Sequence, residues 1–454
     1  MTGKKNVPIQ FIRAAEPFLL SVLADIRNMV CLLVCAIRRR FLMSLIMTNQ
    51  KKAAITPAKR AQALEARRTL KMASSAHAYV RGSTVQFYKW LEGRGRRAVP
   101  KGPPIWICGD CHAGNLGPLA SPDGKVHVQI RDLDQTVIGN PNHDLIRLAL
   151  SLSSAARGSD LPGVTTAHML EQMMMGYRCA LKGPRAQNQI ESDKPESIKV
   201  VMRRATARTW KHLARERLED VKPSIPRGER FWPLTTEESK AIDALFEIET
   251  VRKLVTSLKS RPNDATIEVL DAAYWMKGCS SLGRLRYAVL LKVGAGKKHE
   301  DEFCLIDIKE AAAAAAPRAA RAVMPKDQAQ RVVEGAKRLS PALGERMMAG
   351  KLLSRSVVLR ELMPQDLKLE IDQLSRDEAV RSARYLAEVV GKAHARQMDG
   401  PTRREFSASL NQRRAARLNA PSWLWSSVIE LASSHEAAYL EHCRRYALGE
   451  TRRL

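Results

Sequence analysis

Two aspartates and an asparagine, gathered by one hairpin, constrain this chain more than any other feature. Ile105-Trp106-Ile107-Cys108 reads as a short buried strand running into the loop Gly109-Asp110-Cys111-His112-Ala113-Gly114-Asn115. Ser121-Pro122-Asp123-Gly124 is a turn signal. Beyond it Val126, Val128 and Ile130 alternate with His127, Gln129 and Arg131, the period of a half-buried strand. That strand delivers Asp132-Leu133-Asp134 at its end, so the hairpin returns Asp132 to the neighbourhood of Asn115. An Asp that orients a hydroxyl, with an Asn and a second Asp that hold Mg²⁺ against nucleotide phosphates, is a recurring set in phosphoryl transfer. The spacing therefore predicts Asp110, Asn115 and Asp132 as catalytic, with Asn115 and Asp132 as magnesium ligands. Asp134 stays open between a further metal ligand and a helix cap. The plain alternative for the whole loop is a polar turn between two strands.

A second set of residues is suited to a nucleotide. The pattern changes near residue 268. Residues 272–277 read as a strand, Gly278-Cys279-Ser280-Ser281-Leu282-Gly283 as a small-residue turn, and Leu285, Tyr287, Val289, Leu291 and Val293 as a second, alternating strand. Residues 303–308 form a third strand leading into Lys309-Glu310, and 356–362 a further one. The backbone of Gly278, Ser280, Ser281 and Gly283 is a candidate cover for ATP phosphates, and Lys309 a candidate to neutralise them. Lys309 needs a carboxylate to fix it; Glu334, in a helical stretch, is the first candidate and Glu310 the second. A plain turn and a surface lysine are the alternatives. His112 reads as loop support, and Arg81 as a substrate or phosphate contact or else half of a surface ion pair.

The remainder reads mostly as helix. Residues 51–72 are basic and Ala-rich, and Asn140-Pro141-Asn142-His143-Asp144 opens a helix through Leu145, Leu148 and Leu152. Residues 165–260 are mostly helical, with an exposed connection marked by Pro223, Pro226, Gly228 and Pro233. The six alanines at 311–316 are expected to be helical. Ser375-Arg376-Asp377-Glu378 is a capping box for a helix to about Ala395, and 401–454 is helical.

A formal charge of +28, from 75 Lys+Arg against 47 Asp+Glu, favours anionic partners. No compact basic tract interleaved with aromatics accompanies it, so no specific nucleic acid is expected. The 8 cysteines are scattered, which excludes a small disulfide scaffold and points to the reducing cytoplasm. Cys108-Gly109-Asp110-Cys111 lacks a second pair to complete a zinc site. The apolar run at 17–37 contains Asp25 and Arg27, and its clean part, 29–37, falls far short of the roughly 20 residues of a membrane span. Residues 1–46 are therefore read as an N-terminal extension, either an interfacial helix or a non-native or disordered segment, with Met43 or Met47 as alternative starts.

The loop from Gly109 to Asn115 resembles the catalytic loop of aminoglycoside and choline phosphotransferases. Asp132-Leu133-Asp134 resembles their metal-binding segment, and Gly139-Asn140-Pro141 with Asp144-Leu145 the helix start that follows. From about residue 70 onward the chain is similar to a bacterial family, domain of unknown function 2252. The likeness rests on Tyr79-Val80-Arg81-Gly82, the Gly109 loop, the Gly278-to-Gly283 turn, Lys309-Glu310-Ala311, Arg331-Val332-Val333-Glu334-Gly335 and Ala393-His394-Ala395-Arg396. It implies an α+β, protein-kinase-like two-lobed fold, with a mainly helical C-lobe and a small antiparallel-sheet nucleotide lobe, and gives Asp144 a supporting role. Cys108 departs from it, standing where phosphotransferases usually carry His. In ordinary kinases the Gly-rich loop and Lys precede the catalytic loop; here they follow it. The resemblance thus implies a circularly permuted fold in which the helix ending near His394 packs beside Ile105. The expected division is 1–46 extension, 47–266 catalytic-loop lobe, 267–365 nucleotide-binding lobe and 366–454 helices completing the first lobe. The implied function is an ATP- and Mg-dependent phosphotransferase acting on a hydroxyl of an unidentified small molecule. A kinase-like protein that binds nucleotide without turnover, a nucleic-acid-binding protein, and a metal hydrolase using His112, Asp110 and Asp132 are the alternatives.

Overall fold

The alternation of Tyr287, Val289, Leu291 and Val293 builds the middle of a six-stranded antiparallel sheet. The computed structural model describes residues 55–183, 194–208, 224–257, 261–262, 264–277, 284–294, 302–367, 369, 374–410 and 419–451. Its strands are β1 (Ile105–Ile107), β2 (Leu116–Ala120), β3 (Val126–Ile130), β4 (Val137–Gly139), β5 (Phe231–Trp232), β6 (Thr266–Trp275), β7 (Arg286–Gly294), β8 (Glu302–Glu310), β9 (Met347–Leu352) and β10 (Arg355–Glu361). The helices of seven or more residues are α1 (Arg60–Met72), α2 (Ala76–Gly82), α3 (Thr84–Trp90), α4 (Pro141–Gly158), α5 (Gly163–Leu181), α6 (Glu196–Ala207), α7 (Thr236–Phe246), α8 (Glu249–Val255), α9 (Gln328–Leu339), α10 (Arg376–Ala395), α11 (Gly400–Ser409) and α12 (Ser422–Thr451). The protein is thus mixed α and β, and Ile55–Leu454 forms one contiguous unit. None of the helices described is long and apolar enough to cross a membrane. The extension expected at 1–46 lies outside the described residues.

The large sheet runs β5-β6-β7-β8-β10-β9. One face is apolar: Tyr287, Val289, Ile306, Ile308, Val357 and Leu359 pack with Ile242 and Phe246 of α7, Val251 and Val255 of α8, and Leu64 of α1. Burial of that face is the main stabilising term. The other face is charged by register. Arg286 pairs with Lys309, which pairs with Val358; Ala288 pairs with Asp307, which pairs with Arg360. Directly opposed residues share a face, so strict alternation in β8 sends Ile306 and Ile308 to the core and Asp307 and Lys309 to the side that meets the β2–β3 hairpin.

The second core is helical. α5 and α10 approach closely because glycine stands at the contact. A Cβ on Gly176 would lie 2.1 Å from the carbonyl oxygen of Arg384, and one on Gly391 would lie 2.7 Å from Ala180 Cβ. The far end of α10 reaches β1, as expected. Gln397 accepts from the Trp106 N–H at 2.9 Å and donates to its carbonyl at 3.0 Å. It thereby extends the ladder that β1 forms with β4.

Four sequence expectations are corrected. The six alanines at 311–316 are not helical. Helix nucleation is costly, Pro317 follows at once, and tertiary partners claim the backbone: Ala311 N–H goes to Ser356, Ala315 N–H to Gln135, and Ala312 carbonyl to Arg331. Phe231 and Trp232, placed within an exposed connection, are buried and pair with β6, where Trp232 stacks on Tyr274. The strand expected at 272 begins at Thr266, with a bulge at Val269/Asp271, and β9 was not anticipated. Finally β5 is the edge strand of the sheet and α1, α7 and α8 pack on it, so elements assigned to the 47–266 lobe share a core with 267–365.

Substituting Gly176→Val should cost about 1–3 kcal/mol of unfolding free energy, read from urea melts, because the new side chain must push apart two packed helices.

Candidate functional site

The loop after β1 takes its shape from α4. Asn140 caps that helix and Pro141 opens it. In its first turn Asp144, with no exposed surface, accepts from the N–H groups of Cys108 at 2.7 Å and Gly109 at 2.9 Å. The same carboxylate meets His394 Nε2 at 3.1 Å, and His394 Nδ1 meets the Tyr177 hydroxyl at 2.8 Å. Gly109 has φ +76°, and a Cβ there would lie 2.1 Å from the Gln135 carbonyl oxygen, so only glycine fits.

The next residue, Asp110, is aimed by a residue one helical turn beyond Asp144. Arg147 Nε donates to Asp110 Oδ1 at 2.9 Å, while Arg147 Nη2 donates to the Val80 carbonyl at 2.8 Å. The Asp110 side chain keeps 12% of its surface exposed. His112 N–H returns to the Asp110 carbonyl at 2.9 Å. Desolvation lowers the His112 ring to a pKa of about 3; Asp110 opposes the shift, and Arg81 and Arg147 add to it. The buried His112 ring is therefore neutral. Arg81 lies over Gly114, where a Cβ would come within 2.8 Å of its guanidinium.

The hairpin closes the other side. Asn115 Nδ2 donates to the Asp132 carbonyl at 2.7 Å and to the Asp110 carbonyl at 3.3 Å, and Arg131 N–H donates to the Asn115 carbonyl at 2.9 Å. From the sheet, Lys309 Nζ reaches Asp132 at 3.2 Å and also contacts Asp134 Oδ2. Asp132, Asp134 and Lys309 line a small cleft together with Leu133, Val332, Val358 and Arg360. Desolvation raises Asp132, but Lys309 and, more weakly, Arg360 and Arg286 hold it well below the usual carboxylate range. Asp134 moves up, through desolvation and then the charge of Asp132, with Lys309 opposing. Behind them Asp307 pairs with Arg286 at 2.6 Å and Arg360 at 3.0 Å.

The structure brings Asp110, Asn115, Asp132, Asp134 and Lys309 together, with Asp144, His112 and Arg81 around them. It does not pair Lys309 with Glu334. Glu334 takes Lys337 on the outer face of α9 at 2.9 Å, and Glu310 takes Arg355 at 2.7 Å. What α9 gives the site is Arg331, which donates to the carbonyls of Thr136, Asp134 (3.0 Å) and Ala312 (2.8 Å), and Gly335, which lets Thr136 pack against the helix. Gly278, Ser280, Ser281 and Gly283 lie outside the described residues. Sequence reading missed Arg147, Arg331, Asp307 and Arg360. A lone Arg147 inside Leu145-Ile146-Arg147-Leu148 was a usable signal, since a buried cation demands a partner. Among the described residues no group of three or more His, Cys, Asp or Glu side chains is placed to hold a metal ion by itself.

A family model described as an uncharacterized protein conserved in bacteria (DUF2252) matches residues 60–445, and the chain belongs to that family. No curated protein and no solved structure matches it.

Two outcomes follow from these contacts. Asp144→Ala should cost about 3–5 kcal/mol by urea unfolding, because it strands two amides and a histidine in the interior, whereas the exposed Glu334→Gln should change stability by less than about 0.5 kcal/mol. The folded pKa of His112 lies below its unfolded value, so its stability contribution is complete above pH 6.5 and is lost as pH falls from there towards about 3. Urea melts at pH 7 and pH 5 should differ by about 2 kcal/mol more in the parent than in His112→Gln.

Proposed function

We propose that this member of the DUF2252 family is an ATP- and magnesium-dependent phosphotransferase acting on a hydroxyl, with a protein-kinase-like, circularly permuted fold. The observation that carries it is the meeting of Lys309 with Asp132 and Asp134 beside the Asp110 loop. A sheet strand and a hairpin 177 positions apart converge there, and a cation faces two carboxylates in the manner that a metal–triphosphate site requires. A helical core bearing Asp110 and an antiparallel sheet bearing Lys309 support the two-lobed reading. The Gln397–Trp106 bonds support the permuted order, since α10 leads into β1 in space while following it in sequence.

The donor set fits magnesium. Asp132, Asp134 and the amide oxygen of Asn115 are hard oxygen ligands, too few for a cage of protein groups. Mg²⁺ characteristically takes one or two carboxylates and completes its shell with phosphate oxygens and water. When bound it would neutralise charge on the phosphates. Lys309 would then exchange its carboxylate partners for phosphate oxygens. Asp110, with Oδ1 held by Arg147, offers Oδ2 to orient the acceptor hydroxyl. The acceptor oxygen bonds to the γ-phosphorus as the bond from γ-phosphorus to the β–γ bridging oxygen breaks. ADP leaves, and the hydroxyl proton passes to Asp110. Most of the work is positioning and charge neutralisation.

One observation favours a second reading. The buried Arg147–Asp110 pair would equally suit a carboxylate kept as a fixed structural anion in a protein that binds nucleotide without turnover.

A thermal melt with Mg-ATP should raise the parent's midpoint only when magnesium is present, and Asp132→Ala should remove most of that shift. Asp110→Asn should keep it while lowering ADP release by roughly 10²–10⁴-fold. A nucleotide shift indifferent to both magnesium and Asp132 would overturn the proposal, and unchanged ADP release in Asp110→Asn would leave the binding reading.

A further inference from the structure

Most of the described cations around the site are held by carboxylates or carbonyls. Arg147 holds Asp110, Lys309 holds Asp132 and Asp134, Arg360 holds Asp307, and Arg331 holds three carbonyls. Arg131 keeps one bond, to the Asp366 carbonyl at 3.2 Å, and Arg81 has no hydrogen bond or ion pair among the described residues. Its guanidinium lies half-buried against Gly114, in the loop between Asp110 and Asn115. Arg147 fixes its position by binding both Asp110 Oδ1 and the carbonyl of Val80, the residue before Arg81. Gly114 leaves the room: any side chain there would meet the guanidinium at 2.8 Å. An oriented, unpaired guanidinium is a bidentate receptor for carboxylate or phosphate. A cationic acceptor would be repelled, and a neutral one would leave the charge uncompensated.

We propose that the acceptor is an anionic hydroxy compound, carrying a carboxylate or phosphate near the hydroxyl that is phosphorylated, and that Arg81 selects it. This rests on the phosphotransferase reading.

The test uses the full chain with glycerate and glucose 6-phosphate as anionic probes, glycerol and glucose as their neutral matches, and ethanolamine as the cationic one. Binding is measured by calorimetry in the presence of magnesium and a non-hydrolysable ATP analogue, and turnover by ADP release. At least one anionic probe should bind about ten-fold or more tightly than its neutral match. Arg81→Gln should erase that difference and raise KM far more than it lowers kcat; Arg81→Lys should restore part of it. Preference for glycerate or for the sugar phosphate tells which anion is meant. Equal affinity for all five probes, including none measurable, overturns the inference. So does discrimination that survives Arg81→Gln, or a matching loss of Mg-nucleotide affinity in that variant, which would assign Arg81 to the nucleotide. Arg81-dependent anion binding in a protein that ignores Mg-ATP would sink the phosphotransferase reading and leave the anion site standing.

Discussion

Asp144 is the contact on which the rest of the site depends. A carboxylate without exposed surface is tolerable only when its lone pairs are used, and here two loop amides and a histidine use them. Those partners come from the loop after β1 and from α10, so one side chain of α4 joins three parts of the fold. It also sets the geometry that follows. With the Gly109 amide held and its φ positive, the chain turns sharply and presents Asp110 to Arg147, one turn along the same helix. α4 therefore fixes the loop twice, by its backbone through Asp144 and by its side chain through Arg147.

The sheet contributes by alternation. The register that buries Ile306 and Ile308 exposes Asp307 and Lys309 to the hairpin side, and the neighbouring strands place Arg286 and Arg360 beside them. Asp307 absorbs both arginines, leaving Lys309 to the hairpin aspartates. The two carboxylates differ as a result: Asp132 is held ionised, while Asp134 is pushed towards protonation.

Local features were legible in the sequence. The turn at Ser121-Pro122-Asp123-Gly124 and the strand after it were enough to place Asp132 beside Asn115, because a hairpin fixes its own register. The meeting of α10 with β1 was not local and came only through family resemblance. Arg331 stayed hidden because most of its acceptors are backbone carbonyls, which leave no residue-type signal, at separations of up to 197 positions. Glu334 misled for the opposite reason: a carboxylate in a resembling motif looked like a partner, while the helix turns it to solvent and Lys337. The alanine run misled because intrinsic propensity is a weak prior beside three specific tertiary hydrogen bonds.

The amide of Gln397 completes the edge of a strand that lies 291 positions earlier in the chain. During synthesis that strand and its loop emerge long before the side chain that finishes them. The β1 edge that Gln397 covers therefore stays open to pairing until α10 has been made. Such long-range closure also predisposes the chain to slow folding. The arrangement makes the closed β1 edge, and the Asp110 loop that follows it, a property of chains that already include α10.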